Sequence, residues 1–215
     1  AKGRFFGVEF SDGEILSAKN LKNEFYRKAV HLSSLWMPLL IYAAPRNFSL
    51  TVFCTLFLGN LVVEYACYRR VSLARRLFEG VFLKTLRCRE IRKNRFCPSG
   101  SLYLLGAAII TTLLFPKELA VIGMTIVLIS DTCAAIFGKM FGTRRLYASK
   151  SLEGTVMFFL SALYVMVAFD GMYPLGTSGV AACTFAALCE LYEKAIRVDD
   201  NFSVPLVVCL TLFCF

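Results

Sequence analysis

The sequence predicts an all-α, polytopic integral membrane helix bundle with about seven transmembrane helices and a cytoplasmic N-terminus. The chain is 57% hydrophobic, whereas soluble domains are about 45–50% apolar. Charged residues make up only 18%, against about 25% in soluble domains. The apolar residues also gather into seven long runs, most of them near the roughly 20 residues that a membrane helix needs. Together these features exclude an ordinary soluble domain.

The seven runs are the predicted spans. Their approximate ranges are 26–44, 48–68, 99–115, 119–137, 154–172, 176–192 and 203–215. The third is short, and the seventh reaches the last residue of the sequence. The connections at 45–47, 116–118 and 173–174 are tight, and short connections make successive helices antiparallel. Alternate connections should therefore lie on opposite sides of the membrane.

The basic residues indicate which side is cytoplasmic. With the seven-span topology, 22 of the 24 Lys and Arg residues fall on one side, and only Arg46 and Lys117 fall on the other. Cytoplasmic loops carry the excess of Lys and Arg in membrane proteins. Residues 1–25 are therefore predicted to be a cytoplasmic N-terminal segment, with the N-terminus inside.

Residues 69–98 form a basic loop in this topology. Ten Lys and Arg residues there are interspersed with apolar residues at the spacing of an amphipathic helix. The pattern favours an amphipathic helix on the anionic membrane surface, and direct contact with nucleotide phosphates is the second interpretation. Membrane adhesion and topology account for the net charge of +9, so we predict no nucleic-acid partner.

Polar residues near the spans gather at their cytoplasmic ends. Ionisable groups at membrane depth are costly and usually face a partner or a water-filled cavity. A set of them at one depth therefore predicts a polar site that is open to the cytoplasm. Its candidate members near the span ends are Arg27, Lys28, His31, Glu64, Ser99, Gly100, Asp131, Lys150, Ser151, Glu153, Glu190, Glu193, Asp199, Asp200 and Asn201.

The types of these residues suit phosphate chemistry. Carboxylate and amide oxygens are ligands that Mg²⁺ prefers. The candidate ligands are Asp131, Glu153, Asp199, Asp200 and Asn201, and Asp131, Asp200 and Asn201 are the predicted set. Lysine and arginine neutralise phosphate oxygens. The predicted nucleotide-binding residues are Gly138, Lys139, Gly142, Arg144, Lys150, Ser151, Glu153 and Gly154.

Three of these residues have specific backbone roles. Ser151 is predicted to cap a helix that starts near Leu152, whose free N–H groups would favour an anion. Gly138 and Gly142 either let the backbone approach a phosphate or serve close helix packing in lipid. The two roles are compatible, and the sequence leaves both open.

His31 is the only histidine in the chain. A lone histidine is often a hydrogen-bonded structural residue. His31 also lies four residues after Arg27, on the same face of a helix, which places its imidazole beside positive charge at the membrane surface. A structural role and a catalytic role both remain open.

Five motifs of this sequence resemble those of the CTP-dependent lipid kinases, which include dolichol kinase, phytol kinase and CTP-dependent diacylglycerol kinase. They cover about Glu24 to Pro205, nearly the whole chain, in the family's order. The motifs are E-F-Y-R-K-A-V-H at 24–31, the approach from Arg87 to Ser99-Gly100, S-D-T-C-A-A-I-F-G-K-M-F-G at 130–142, S-K-S-L-E-G-T at 149–155, and Glu190 with D-D-N-F-S-V-P at 199–205.

The resemblance implies that residues 26–215 are a single transmembrane catalytic domain. Its implied reaction transfers the γ-phosphoryl group of CTP, or of another nucleoside triphosphate, to a lipid hydroxyl with Mg²⁺ as cofactor. The lipid would be an alcohol such as diacylglycerol, dolichol or another polyprenol, or phytol, and Glu153 favours a polyprenol or glycerolipid. His31 or Asp131 would accept the hydroxyl proton.

Two other functions compete with this interpretation. Phosphatidate cytidylyltransferases share the central aspartate–glycine block, but their late signature is replaced here by Asp199-Asp200-Asn201. A membrane transporter would need ionisable residues and helix breaks near the centres of its spans, whereas the central stretches here are apolar. The lipid kinase is therefore the predicted function.

Overall fold

The computed structural model describes residues 3–5, 8–10, 24–69, 98–148 and 150–215. Within these ranges the protein is a helical bundle with two small antiparallel sheets. Arg87 and nearly all of the predicted basic loop at 69–98 lie outside the described residues, as does most of the predicted N-terminal segment.

A helix occupies each of the seven predicted spans, and the first span contains two. The helices are α1 (24–33), α2 (Trp36–Ala43), α3 (Arg46–Tyr68), α4 (Gly100–Leu114), α5 (Lys117–Met140), α6 (Leu152–Ala168), α7 (Thr177–Leu191), α8 (Glu193–Ile196) and α9 (Asp200–Cys214). The apolar runs therefore predicted the positions of the helices correctly.

The first predicted span is divided between α1 and α2 because of Pro38. Proline has no N–H to donate to the carbonyl four residues earlier, which here belongs to Ser34. The Ser34 carbonyl instead accepts a hydrogen bond from Met37 N at 2.9 Å, and Ser34 N itself donates to the carbonyl of His31 at 3.0 Å. These shorter i to i−3 bonds separate the two helices at residues 34 and 35, one turn after His31.

Helix α5 is the centre of the bundle. It packs against α2, α4, α6 and α9, and Ile122, Met124 and Leu128 on it are fully buried. At about 1.5 Å per residue, its 24 residues are long enough for a hydrocarbon core of about 30 Å. Polar side chains in the middle of α5, such as Thr125, Ser130 and Asp131, are therefore buried among other helices.

Two helices in the described part of the chain are long and apolar enough to cross a membrane: residues Arg46–Ala66 of α3 and the whole of α5. Helices α4, α6, α7 and α9 are apolar but shorter. Large apolar side chains lie on the outside of the bundle, including Leu58, Val62 and Tyr164. The number of crossings and the side of the N-terminus remain predictions from the sequence.

Two short hairpins complete the described structure. Strands β1 (Gly3–Phe5) and β2 (Val8–Phe10) pair antiparallel, and so do β3 (Arg145–Tyr147) and β4 (Lys150–Ser151). The sequence predicted no strands. The β3–β4 hairpin connects α5 to α6, and its turn contains Ala148 with a positive φ of 52°. This hairpin places Lys150 directly before the start of α6.

Candidate active site

Helix α1 has its polar side chains inside and its apolar side chains outside. Lys28 is fully buried, and Glu24 and His31 lie on the same face at spacings of four and three residues. Phe25, Tyr26 and Val30 are exposed. This is the reverse of a helix on a soluble protein, and it indicates a lipid-facing helix with its polar side toward the bundle.

Asp131 meets this polar face from α5. Its carboxylate is only 7% exposed, and Lys28 Nζ donates a hydrogen bond to Asp131 Oδ2. His31 Nε2 lies 3.5 Å from the same oxygen and is a buried atom without a hydrogen-bond partner among the described residues. The predicted residues Lys28, His31 and Asp131 therefore do come together.

Lys150 joins a second group of carboxylates on the opposite side of Asp131. Its ammonium donates to Glu190 Oε1 at the end of α7 and lies 3.4 Å from Asp200 Oδ2 at the start of α9. Burial alone would lower the pKa of Lys150, but the charges of Asp200 and Glu190 outweigh burial and raise that pKa. Lys150 is therefore held as a cation.

The carboxylate that Lys28 and His31 contact lies close to the carboxylates that Lys150 contacts. Asp131, Glu190 and Asp200, called the carboxylate cluster below, are all buried, and one oxygen of each lies within 4.8 Å of the others. Glu190 Oε2 is buried and has no hydrogen-bond partner in the described part of the chain. Hard carboxylate oxygens with an unsatisfied member fit Mg²⁺ or a similar divalent cation.

The cluster contains Asp131 and Asp200 of the predicted metal set and adds Glu190 as a third carboxylate. The side-chain nitrogen of Asn201, the third predicted ligand, donates to Asp199 Oδ1 at 2.6 Å, while its Oδ1 is buried without a hydrogen-bond partner among the described residues. Asp199 is the N-cap of α9 and also accepts from Asn201 N. Burial and the neighbouring Asp200 raise the pKa of Asp199 to about 6.

The start of α6 is built as the sequence predicts, but its N–H groups are partly used. Ser151 is the N-cap and accepts from Gly154 N at 3.2 Å. Leu152 N donates to the carbonyl of Arg144 at 2.8 Å. Two of the N–H groups predicted to favour an anion are therefore satisfied within the protein.

The glycines and Glu153 organise the junction of α5 and α6. A Cβ on Gly138 would lie 3.1 Å from Ser151 Oγ, and one on Gly154 would lie 3.0 Å from the carbonyl of Ala134. The packing role left open for Gly138 is therefore present. Glu153 Oε1 accepts from Thr143 N at 3.0 Å and from Arg144 N at 3.3 Å, so Glu153 holds the loop after α5.

Other predicted site residues lie at the edge of this arrangement. Lys139 pairs with Glu24 at 2.6 Å, and Glu24 also accepts from Arg27. Burial alone would raise the pKa of Glu24, but the hydrogen bond from Lys139 and the charge of Arg27 lower it. The side chain of Arg144 is exposed. Arg144 and Lys139 are thus near the junction without belonging to the buried cluster.

Gly100 and Ser99 open α4 beside the start of α9. A Cβ on Gly100 would lie 3.1 Å from Asn201 Nδ2, so this glycine permits a close approach. Ser99 donates its backbone N–H and its hydroxyl to Glu64 of α3. These contacts join α3 to α4 near the site.

Glu193 was among the polar residues predicted to gather at the span ends, but the sequence assigned it no role in the site. Its Oε2 lies 3.7 Å from Lys150 Nζ, and it forms a second acidic group with Asp199 and Asp200. The available signal was its position three residues after Glu190, where helical spacing places two carboxylates on the same side.

Comparison with known proteins connects this geometry to a family. No family model matches the chain, and no solved structure gives a significant match. An uncharacterised protein of Rickettsia prowazekii (strain Madrid E) is 31% identical over 194 residues, which cover 88% of this chain and 93% of that protein. The chain belongs to the family of this Rickettsia protein.

Two further relatives are more distant. An uncharacterised protein of Methanocaldococcus jannaschii is 25% identical over 190 residues, covering 86% of the chain and 90% of that protein. CTP-dependent diacylglycerol kinase 1 of Schizosaccharomyces pombe is 24% identical over 213 residues, covering 89% and 93%. The chain is thus a distant homologue of a CTP-dependent diacylglycerol kinase, which supports the resemblance drawn from its motifs.

Proposed function

We propose that this chain is an integral membrane lipid kinase that transfers the γ-phosphoryl group of CTP to a lipid hydroxyl. The observation that carries the proposal is the placement of the partly buried His31 and Lys150 against one buried carboxylate cluster in a distant homologue of a CTP-dependent diacylglycerol kinase. Phosphoryl transfer needs positioning and charge neutralisation more than covalent chemistry by the protein, and buried lysines and carboxylates supply both.

In the proposed reaction the lipid hydroxyl oxygen attacks the γ-phosphorus. A new P–O bond forms to that oxygen while the bond from the γ-phosphorus to the β,γ-bridging oxygen breaks. CDP leaves with the electron pair of that bond, and the hydroxyl proton passes to a base on the protein. The products are a lipid phosphate, CDP and one proton.

His31 is the proposed base. Its Nε2 is buried without a hydrogen-bond partner among the described residues, so this nitrogen can accept a proton. Asp131 Oδ2, 3.5 Å away, would stabilise the resulting imidazolium. Asp131 itself already accepts a hydrogen bond from Lys28, which makes its carboxylate a weaker base. His31 is therefore favoured over Asp131, and the two assignments are separable by mutation.

The phosphates are proposed to lie between Lys150 and the loop after α5. Lys150 carries the buried positive charge, and the exposed Arg144 extends the basic surface outward. The carboxylate cluster would hold a divalent cation, which when bound neutralises phosphate charge and orients the triphosphate. We propose that the nucleotide enters from the cytoplasm and that the lipid hydroxyl stays at headgroup level.

One experiment tests the reaction directly. Purified protein is incubated with γ-labelled CTP or ATP and with diacylglycerol, dolichol, undecaprenol or phytol in separate reactions. The proposal expects label in one of the lipids and release of CDP when CTP is the donor. Release of pyrophosphate with a CDP-lipid product from phosphatidate would instead identify a cytidylyltransferase.

A transporter would show neither product. The break between α1 and α2 near the middle of the first predicted span is a feature that this alternative shares. The carboxylate cluster, however, draws its members from the C-terminal parts of α5 and α7 and from the N-terminus of α9. With alternating helix directions these parts lie at one end of the bundle, as a site at the membrane surface requires.

A further inference from the structure

Lys150 is already bound to the residues that would hold a metal. Its Nζ contacts Glu190 Oε1, lies 3.4 Å from Asp200 Oδ2 and lies 3.7 Å from Glu193 Oε2. Glu190 and Asp200 are two of the three members of the carboxylate cluster. The ammonium of Lys150 therefore competes with any divalent cation for the same oxygens.

The negative charges of the cluster favour a bound cation, but the positive charges of two nearby lysines oppose a divalent one. Asp131, Glu190 and Asp200 carry three negative charges, and Lys28 and Lys150 supply two positive charges. The buried Glu190 Oε2 remains without a hydrogen-bond partner in the described ranges. A divalent cation would satisfy that oxygen, but it would also stand beside two ammonium groups and would be repelled by both.

A bound triphosphate changes this balance. Its oxygens offer Lys150 new charge-assisted hydrogen bonds, so the ammonium can leave Glu190 and Asp200 without losing a counter-charge. The freed carboxylate oxygens are then available to a metal. Metal and nucleotide would each make the binding of the other more favourable, and such coupling is reciprocal.

The two lysines differ in their freedom to move. The side chain of Lys150 is 24% exposed and extends from the short strand β4, on a flexible four-carbon stem. Lys28 is 2% exposed and is enclosed between α1 and α5. Lys150 is therefore the lysine that can exchange partners, while Lys28 remains on Asp131.

We propose that Lys150 is a resident cation of the carboxylate cluster that gives up Glu190 and Asp200 only when a nucleoside triphosphate is present, so that divalent metal and nucleotide bind cooperatively. This inference rests on the proposed function for the identity of the phosphate-bearing ligand. It adds that the metal-free, nucleotide-free protein binds a divalent cation weakly because a lysine occupies its ligands.

Mn²⁺ binding to the purified chain tests the inference by electron paramagnetic resonance of free Mn²⁺. Measurements are made without nucleotide and with a CTP analogue that has a methylene between its β- and γ-phosphorus atoms, and the Mn²⁺ that the analogue binds in solution is measured without protein and subtracted. The wild-type chain is expected to bind Mn²⁺ weakly alone and about 5- to 150-fold more tightly with the analogue, the usual range of such coupling.

Removal of the lysine charge should uncouple the two ligands. Lys150→Met is expected to bind Mn²⁺ without nucleotide about tenfold or more tightly than wild type, because the competing ammonium is gone, and the analogue should add little. Lys117→Met is the matched control, since it removes the same charge at the opposite end of α5, and it should behave as wild type. Lys150→Gln replaces Lys150→Met if the latter does not fold.

Equal Mn²⁺ affinities of wild type and Lys150→Met without nucleotide would overturn the inference. It would also be overturned if Mn²⁺ bound to neither protein even with the analogue, since the cluster would then hold no metal. The label-transfer assay decides the lipid kinase proposal separately, because it can succeed or fail with either binding result.

Discussion

The ion pair between Lys28 and Asp131 contributes to the stability of the bundle, and Asp131 is also a member of the carboxylate cluster. Both residues of the pair are buried, at 2% and 7% exposure, and each leaves a charge inside the bundle if the other is removed. Breaking a buried ion pair by removing one partner typically costs about 3–5 kcal/mol, whereas replacing both partners by neutral groups is often well tolerated. Single and double substitutions therefore distinguish the two roles.

Asp131→Asn is expected to abolish label transfer and to lower the free energy of unfolding by about 3–5 kcal/mol. The asparagine keeps the size of the side chain but removes the charge that balances Lys28 and contributes to the carboxylate cluster. The double variant Lys28→Met/Asp131→Asn should regain most of the lost stability and remain inactive. Stability is measured by unfolding in detergent, and activity by label transfer from CTP.

Two results would contradict this account of Asp131. Retention of most activity in Asp131→Asn would exclude an essential charge at this position. If the double variant were as unstable as Asp131→Asn alone, the unpaired charge of Lys28 would not be the cause of the lost stability.

Lys150→Ala should raise the KM for CTP, or lower kcat, by roughly 10- to 150-fold. This range corresponds to about 1.5–3 kcal/mol for a charge-assisted hydrogen bond to phosphate. The KM for the lipid should change little, and Lys117→Ala, at the far end of α5, should leave both KM values unchanged. A selective rise in the lipid KM of Lys150→Ala would assign this lysine to the lipid headgroup.

The sequence predicted most members of the site but could not choose between neighbours. Adjacent residues on a helix point about 100° apart, so Asp200 and Asn201 face different directions, and spacing alone does not say which lies nearer to Asp131. Glu190 was among the candidates, but its place in the carboxylate cluster depends on the rotation of α7 about its axis, which packing sets. The sequence did predict that Asp131, Glu190 and Asp200 lie near one another, since their positions at span ends can be counted.

At the scale of helices, close packing rather than polar contacts sets the distances around α5. A Cβ on Gly123 would lie 2.8 Å from Cys209 Sγ and 3.0 Å from the carbonyl of Pro205, so α5 and α9 touch through a glycine. Small residues at helix interfaces allow this approach in membranes. The distance between α5 and α9 also positions Asp131 relative to Asp200.

Gly123→Ala should destabilise the bundle by about 1–3 kcal/mol, the usual cost of an added group in a well-packed core. Gly59→Ala is the control, because a Cβ there meets no atom within 4 Å, and alanine favours a helix by about 0.5–1 kcal/mol over glycine. Unfolding midpoints in detergent should therefore fall for Gly123→Ala and stay equal or rise for Gly59→Ala. A midpoint for Gly123→Ala at or above wild type would show that α9 can move away without loss.

The positions of the helices were predictable from the sequence, but the break within the first predicted span was predictable only in part. Runs of apolar residues predicted the positions of α3 to α7 and of α9 because a bundle in lipid needs long uncharged segments. Pro38 was visible in the sequence, but its effect on the Ser34 carbonyl depends on the local hydrogen bonds. The β3–β4 hairpin was not predicted, because two- and three-residue strands leave no periodic pattern.

At the scale of the whole molecule, the two basic residues assigned to the non-cytoplasmic side have structural contacts. Arg46 donates to the carbonyl of Leu113 at the end of α4. Lys117 lies 3.4 Å from the carbonyl of Tyr42, at the end of α2, and over the Tyr42 ring. Positive side chains near helix C-termini are favourable. Their presence opposite the other 22 basic residues therefore does not weaken the charge-based topology.

The topology itself gives the last prediction. Single cysteines at positions 89, 117 and 144 are introduced into a chain whose nine native cysteines have been replaced, and intact cells or oriented vesicles are treated with a membrane-impermeant thiol reagent. Positions 89 and 144 should label together from the cytoplasmic side and position 117 from the other, because the excess of Lys and Arg faces the cytoplasm. Lys117 and Met140 are the ends of one 24-residue helix, so equal labelling of 117 and 144 from one side would show that α5 does not cross. Labelling of 89 and 144 from different sides would contradict the seven-span topology while leaving α5 as a span.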